Sequence, residues 1–221
     1  MTIRPTPEHF LQQFHEARAS AILRTNDQQT AAQAMEAAVR AGFTIVEFTL
    51  TTPGAYELIA EFSKREGLTV GAGTVLTLED AERAHDAGAA FLVSPVLDVA
   101  VIEAATAMNI AMMPGCFTAT EFLAAHHAGA QLQKLFPMPG TGAKYVKSLL
   151  APLPMLRIVP TNGVHMNNAE SLLKAGAHAV GFTTALFDAN DLREKRFDAV
   201  QQRGVKLLEA VGAKPAVTSV V

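Results

Sequence analysis

Lys134 sits inside the run Gln131, Leu132, Gln133, Lys134, Leu135, Phe136, Pro137, a short strand-like segment in which a solvated cation is out of place. Burial lowers the pKa of a lysine amine, and the free base attacks a carbonyl carbon to form a Schiff base. A lysine at a wet strand edge has the same sequence signature, with its ammonium reaching solvent along the butyl stem. Other residues decide between the two. Glu47, in the apolar run Val46, Glu47, Phe48, can move protons as a general acid or base. Arg24, after Ile22 and Leu23, is either a surface cation or a bidentate grip on a substrate carboxylate that also offsets the glutamate charge. Thr74 closes Gly71, Ala72, Gly73, where missing side chains let backbone donors approach a bound anion.

These residues act together only if the fold converges them. Four helix-like segments end in Ala-Gly and run into an apolar strand, at Gly42, Gly88, Gly129 and Gly176, spaced 46, 41 and 47 residues apart. Each interval is about two strand-helix units long, and intervening strands read at 20–24, 68–73, 110–114 and 156–160, with helical patterns such as 27–40 and 78–86. Eight strands alternating with eight helices call for a parallel sheet closed as a (β/α)8 TIM barrel. The expected organisation is a single domain over 1–221. It comprises an extra N-terminal helix over 6–19, a barrel over 20–190, a C-terminal helix over 190–212 and a loose tail over 213–221. After the first strand come Leu23, Arg24, Thr25, Asn26 and Asp27, with no glycine-rich dinucleotide fingerprint.

The repeat also sets a register. Five residues beyond each helix-ending glycine stand Glu47, Val93, Lys134 and Gly181, one inward layer contributed by alternate strands. Glu47 and Lys134 then face each other across a cavity, since valine and glycine leave space between them. Two residues earlier, Ile45, Phe91, Leu132 and Ala179 form an apolar floor. Two residues later, Thr49, Pro95, Phe136 and Thr183 line the mouth, at the strand ends where such barrels do their chemistry. A structural ion pair would also satisfy this layer, but buried pairs are weak stabilisers. A lysine imine of a 2-keto acid is an electron sink that makes carbon-carbon cleavage feasible, and Glu47 is placed to move the protons. An ionised glutamate would hold the amine as ammonium, so the pair communicates through water or titrates as a unit.

Composition narrows the partners. A net charge of −3 without blocks of like charge argues against nucleic acid and anionic membranes and for a small-molecule 2-keto acid substrate. No basic leader or bilayer-length apolar run is present, which implies a cytoplasmic protein. Cys116 is the only cysteine and reads as a packing residue. His126 and His127 point apart on a helix, and His165 and His178 lack partners, so no metal and no cofactor is expected.

In order along the chain, Ile22-Leu23-Arg24, Val46-Glu47-Phe48-Thr49-Leu50, Gly71-Ala72-Gly73-Thr74-Val75-Leu76, Val93-Ser94-Pro95, Pro114-Gly115-Cys116-Phe117-Thr118-Ala119-Thr120-Glu121, Leu132-Gln133-Lys134-Leu135-Phe136-Pro137 and Val159-Pro160-Thr161-Asn162-Gly163-Val164 resemble the pyruvate-dependent class I aldolases of the Entner-Doudoroff type. These enzymes cleave 2-keto-3-deoxy-6-phosphogluconate to glyceraldehyde 3-phosphate, or 4-hydroxy-2-oxoglutarate to glyoxylate, releasing pyruvate. The resemblance spans about residues 16–190. It implies Lys134 as the Schiff-base lysine, Glu47 as the acid/base, Arg24, Thr74 and Gly73 as the carboxylate site, and a metal-free homotrimer. Phe136 and Pro95 belong to its pocket, and Thr161, Asn162, Gly163, Thr183 and Thr184 to its distal, phosphate-binding end. Some members carry an arginine at the position of Thr51; others, like this chain, place it at Arg24. The family's paired glycines have become Asn162-Gly163 and a Gly-Ser pair has become Thr183-Thr184, which narrows the phosphate cup. An aldolase for an unphosphorylated or galactonate-series acid is therefore an alternative, although Thr161 favours the gluconate series. Metal-dependent aldolases, phosphosugar isomerases or decarboxylases, and a non-catalytic binding barrel are the readings from other classes.

Overall fold

The computed structural model describes residues 4–213, so the expected tail from 214 onward lies outside the described residues. The first half of the chain reads α1 (Pro7–Ala17), β1 (Ala19–Leu23), α2 (Gln28–Arg40), β2 (Ile45–Thr49), α3 (Ala55–Phe62), β3 (Thr69–Gly73), α4 (Leu78–Asp86), β4 (Phe91–Val93) and α5 (Val99–Ala107). There follow β5 (Ala111–Met113), β6 (Gly115–Cys116), α6 (Ala119–His127), β7 (Gln133–Leu135), α7 (Ala143–Leu150), β8 (Ile158–Pro160), α8 (Ala169–Lys174), β9 (Val180–Phe182), α9 (Ala189–Arg193) and α10 (Phe197–Ala210). Polar side chains start many of the helices: Thr6, Asp27, Thr77, Asp98, Thr118 and Asp188 each accept a backbone N–H of the first turn. At their far ends Gly42, Gly88, Gly129 and Gly176 take φ of 110°, 101°, 97° and 103°, the left-handed stop that the Ala-Gly repeat announces.

All strand pairings are parallel, in the orders β5-β4-β3-β2-β1-β9 and β6-β7-β8, giving an α/β fold with a curled parallel sheet. Backbone hydrogen bonds cross both seams between the two ladders, from Leu132 N to Met112 O at 3.4 Å and from His178 N to Ile158 O at 2.8 Å. Two expectations need correction. The single strand expected over 110–114 is split into β5 and β6 around Pro114, whose nitrogen has no hydrogen to give the ladder. The C-terminal helix expected over 190–212 is two helices, α9 and α10. Buried Asp191 draws the chain into a turn between them, taking the Arg196 Nε hydrogen at 2.7 Å and pairing with Arg203, while Lys195 adopts a φ of 54°.

Strand side chains alternate between two apolar layers. Leu23, Val46, Phe48, Ala72 and Leu92 face outward against helix residues such as Ala34, Met35 and Phe62. Facing inward, Ile45, Phe91, Leu132 and Ala179 join Val93, Met113 and Val159 in a second cluster, which α1 closes from the amino ends of the strands with Phe10 and Phe14. The Phe10 and Phe91 rings stack at 4.6 Å. Burying each such ring contributes roughly 1.5–3 kcal/mol, which fixes α1 in place and makes the floor rigid.

Candidate active site

Above that floor the same strands carry polar residues. Glu47, on β2, is 1% exposed and Lys134, on β7, is 8% exposed. Both line a cavity of about 210 Å³ together with Ile22, Arg24, Thr49, Phe136, Thr161, Asn162, Thr183, Thr184 and Phe187. The cavity therefore gathers residues from β1, β2, β7, β8 and β9 or from the connections just past their carboxyl ends, as inward register predicts for Glu47 and Lys134.

Missing side chains shape the space around the carboxyl group. A Cβ on Gly73 would lie 1.9 Å from Glu47 Oε1, and one on Gly181 would meet Ile22 Cδ1 at 2.6 Å and Thr161 Cγ2 at 2.7 Å. A side chain at either place would push Glu47, or Ile22 and Thr161, out of position. Thr74 takes a φ of 62°, a conformation unfavourable for a side chain branched at Cβ, and this brings its Oγ1 to 3.2 Å from Arg24 Nη2, which donates to it. Gly73 and Thr74 thus sit behind the cavity wall, shaping Glu47 and Arg24.

One residue expected in the pocket, Pro95, and one expected at its distal end, Gly163, are not among those lining the cavity. The Pro95 carbonyl packs against the Gly115 backbone, where a Cβ would come within 2.2 Å of it. Gly163, at φ 112°, faces Met138 and a neighbouring groove between the connections that follow β7 and β8. Ile22 and Phe187 were not singled out for the site by sequence reasoning. Ile22 was recoverable, because it pairs with Glu47 in the ladder and shares its inward direction. Phe187 follows β9 in a connection whose path no periodicity signals.

Electrostatics set the chemistry. Burial pushes the Glu47 carboxyl above its usual range, more than the charges of Lys134 and Arg24 pull it down. Burial also pushes the Lys134 amine down, with Glu47 opposing and Arg24 reinforcing the shift. Both changes favour the uncharged forms, a free amine and a protonated acid. Neither oxygen of Glu47 has a hydrogen-bond partner, so the two groups share one cavity without touching. The Lys134 Nζ lies 4.8 Å from the centroid of the Phe136 ring, so the ring walls the amine on one side. Cys116 is buried and its thiol is pushed up to about 12, leaving it protonated. Among the described residues no group of three or more His, Cys, Asp or Glu side chains converges on one point. Nor is any helix among them long and apolar enough to cross a membrane.

Such a pair, a nucleophilic amine facing a proton carrier above an apolar floor, is suited to imine chemistry on a small keto acid. The chain is 35% identical over 182 residues to a probable 2-dehydro-3-deoxy-6-phosphogalactonate aldolase of Rhizobium meliloti (strain 1021), covering 79% of this chain and 86% of the relative. It is 32% identical over 174 residues to the 2-dehydro-3-deoxy-phosphogluconate aldolase of Pseudomonas aeruginosa (strain PAO1), covering 77% and 79%. A solved structure described as native KDPGal superposes with a TM-score of 0.80 at 30% identity, over 87% of this chain and 93% of the other. The family model described as KDPG and KHG aldolase matches residues 11–203, and the chain belongs to that family.

Proposed function

We propose that this aldolase cleaves a 2-keto-4-hydroxy acid of the keto-deoxy sugar acid class, with Lys134 as the Schiff-base nucleophile and Glu47 as the proton carrier. The Lys134 amine adds to C2, and Glu47, protonated at rest, gives its proton to the departing hydroxyl, so that loss of water leaves a protonated imine beside a Glu47 carboxylate. Glu47 takes the proton of the C4 hydroxyl, the C3–C4 bond breaks, and its electron pair moves toward the iminium nitrogen to form an enamine. The aldehyde leaves. A proton then returns to C3, and hydrolysis of the imine frees pyruvate and the amine. Arg24, positioned by Thr74, holds the C1 carboxylate. The carrying observation is the burial of an amine and an unpartnered carboxyl in one cavity, each shifted toward its neutral form.

The remaining parts of this reading have their own supports. The hydrogen bonds across both seams favour one closed eight-stranded barrel in a single domain, capped by α1. A homotrimer is favoured by the exposed Leu76, Leu78, Val96, Val99 and Phe117, which follow β3, β4 and β6 on one side of the mouth. A charged sugar acid of this kind crosses membranes poorly, which favours a cytoplasmic site of action.

Incubation with pyruvate and borohydride, followed by intact mass and peptide mapping, tests the reaction class. A reduced pyruvyl adduct is expected on Lys134. Unmodified protein, or an adduct confined to another lysine, would refute the assignment.

A further inference from the structure

Resting on that aldolase reading, we propose that the distal end of the cavity takes an uncharged, hydroxylated carbon chain, so that the preferred substrate is a 2-keto-3-deoxy sugar acid without a terminal phosphate. The cations that line the cavity, Arg24 and Lys134, are both committed to the reacting end. Arg24 is tied to Thr74 Oγ1, and its charge acts on Glu47 and Lys134. The opposite wall is made of Thr161, Asn162, Thr183, Thr184 and the Phe187 ring. It offers three hydroxyls and an amide, groups that both donate and accept.

Thr161 carries the argument furthest. Its side chain is 1% exposed, and its Oγ1 has no hydrogen-bond partner. A buried hydroxyl left unpaired is costly, and a substrate hydroxyl can satisfy it in either direction. A phosphate dianion, which only accepts, needs cations or a row of free N–H groups to replace its water. Four N–H groups that follow β9 are already taken. The N–H groups of Leu186 and Phe187 go to Thr183 O at 3.0 and 2.8 Å, and those of Asn190 and Asp191 go to the Asp188 carboxylate at 2.9 and 3.1 Å. Asp188 also puts a negative charge one residue beyond Phe187, whose side chain lines that end of the cavity.

The test compares kcat/KM for 2-keto-3-deoxygluconate and 2-keto-3-deoxygalactonate with the values for their 6-phosphates, following pyruvate release. The better unphosphorylated acid is expected to exceed both esters by about tenfold. A value for either ester equal to or above it would overturn the proposal. Asp188→Asn keeps a side chain able to cap α9 and removes the charge. It is expected to raise kcat/KM for the esters about threefold while leaving the unphosphorylated acids unchanged, and an unaltered ratio would overturn the part assigned to Asp188. Pyruvate trapping separates the two levels of the argument. An adduct on Lys134 together with ester preference defeats only the distal assignment, whereas no adduct and no pyruvate from any acid defeats the aldolase reading itself.

Discussion

At the carboxyl ends of the strands the interior holds a buried amine and a buried carboxyl that has no partner, whereas at the amino ends it is filled by Phe10, Phe14, Phe91 and Leu132, each at most 1% exposed. The two regions share strands. Ile45 and Glu47 are two residues apart on β2, and Leu132 stands two residues before Lys134. One pleat of extended chain, roughly 7 Å, therefore separates close packing from chemistry. Floor residues stabilise by removing apolar area from water. The polar pair above them is costly to bury and is held uncharged by the same desolvation. The fold at one end thus tolerates a site at the other that opposes folding, which is the expected trade between stability and activity.

If the two ends are separable in this way, substitutions should sort into those that stop turnover and those that weaken folding. Lys134→Ala should abolish pyruvate release, a loss of at least about 10⁴-fold, while the thermal midpoint stays level or rises because an amine no longer has to be desolvated. Full activity in that variant would end the Schiff-base assignment. Glu47→Gln should slow turnover about 10²- to 10⁴-fold yet still permit a trapped pyruvyl adduct on Lys134, because imine formation can borrow protons from water. Single-turnover kinetics alongside borohydride trapping would separate the two steps. At the other end, Phe10→Ala should cost about 3–5 kcal/mol of stability in denaturant unfolding, with kcat nearly unchanged. A collapse of kcat at unaltered stability would show that α1 reaches into the chemistry and that the ends are not separable.

Much of the reacting end was legible because glycine stops and strand periodicity are local signals. Counting five residues from Gly42 and Gly129 reaches Glu47 and Lys134, and the cavity contains both. The apolar floor followed from the same count. Pro95 is not among the residues lining the cavity, for a backbone reason. Beyond β4 the chain leaves the pleat, with Ser94 Oγ donating to the Val96 carbonyl, so the two-residue rule no longer applies. The distal end was least legible, because Phe187 and the turn of Asp191, Arg196 and Arg203 depend on side-chain contacts made only after the chain returns from β9. The break at Pro114 could have been read directly, since a proline interrupts any ladder that needs its N–H.

A subtler effect sharpens the comparison at the amino ends, where the closing residue is itself titratable. His178 packs edge-on to the Phe14 ring, and its Nε2 lies 3.0 Å from Leu11 O, so the neutral ring donates to α1 and helps hold it over the floor. Burial is the largest influence on the ring and pushes its pKa down to about 4, against an ordinary value of 6.5. The folded state thus resists a proton that the unfolded chain accepts. The contribution is complete above pH 6.5 and is lost progressively as pH falls through about 4. Allowing for the part of the ring that water reaches, it is about 2 kcal/mol. The thermal midpoint of the native chain should therefore fall between about pH 7 and about pH 4 more steeply than that of His178→Gln, which can still donate to Leu11 but does not titrate. Parallel midpoints would mean that the ring is wetter than its packing indicates. An altered kcat at pH 7 in His178→Gln would couple the helix cap to Lys134 through the floor and undo the separation of packing from chemistry.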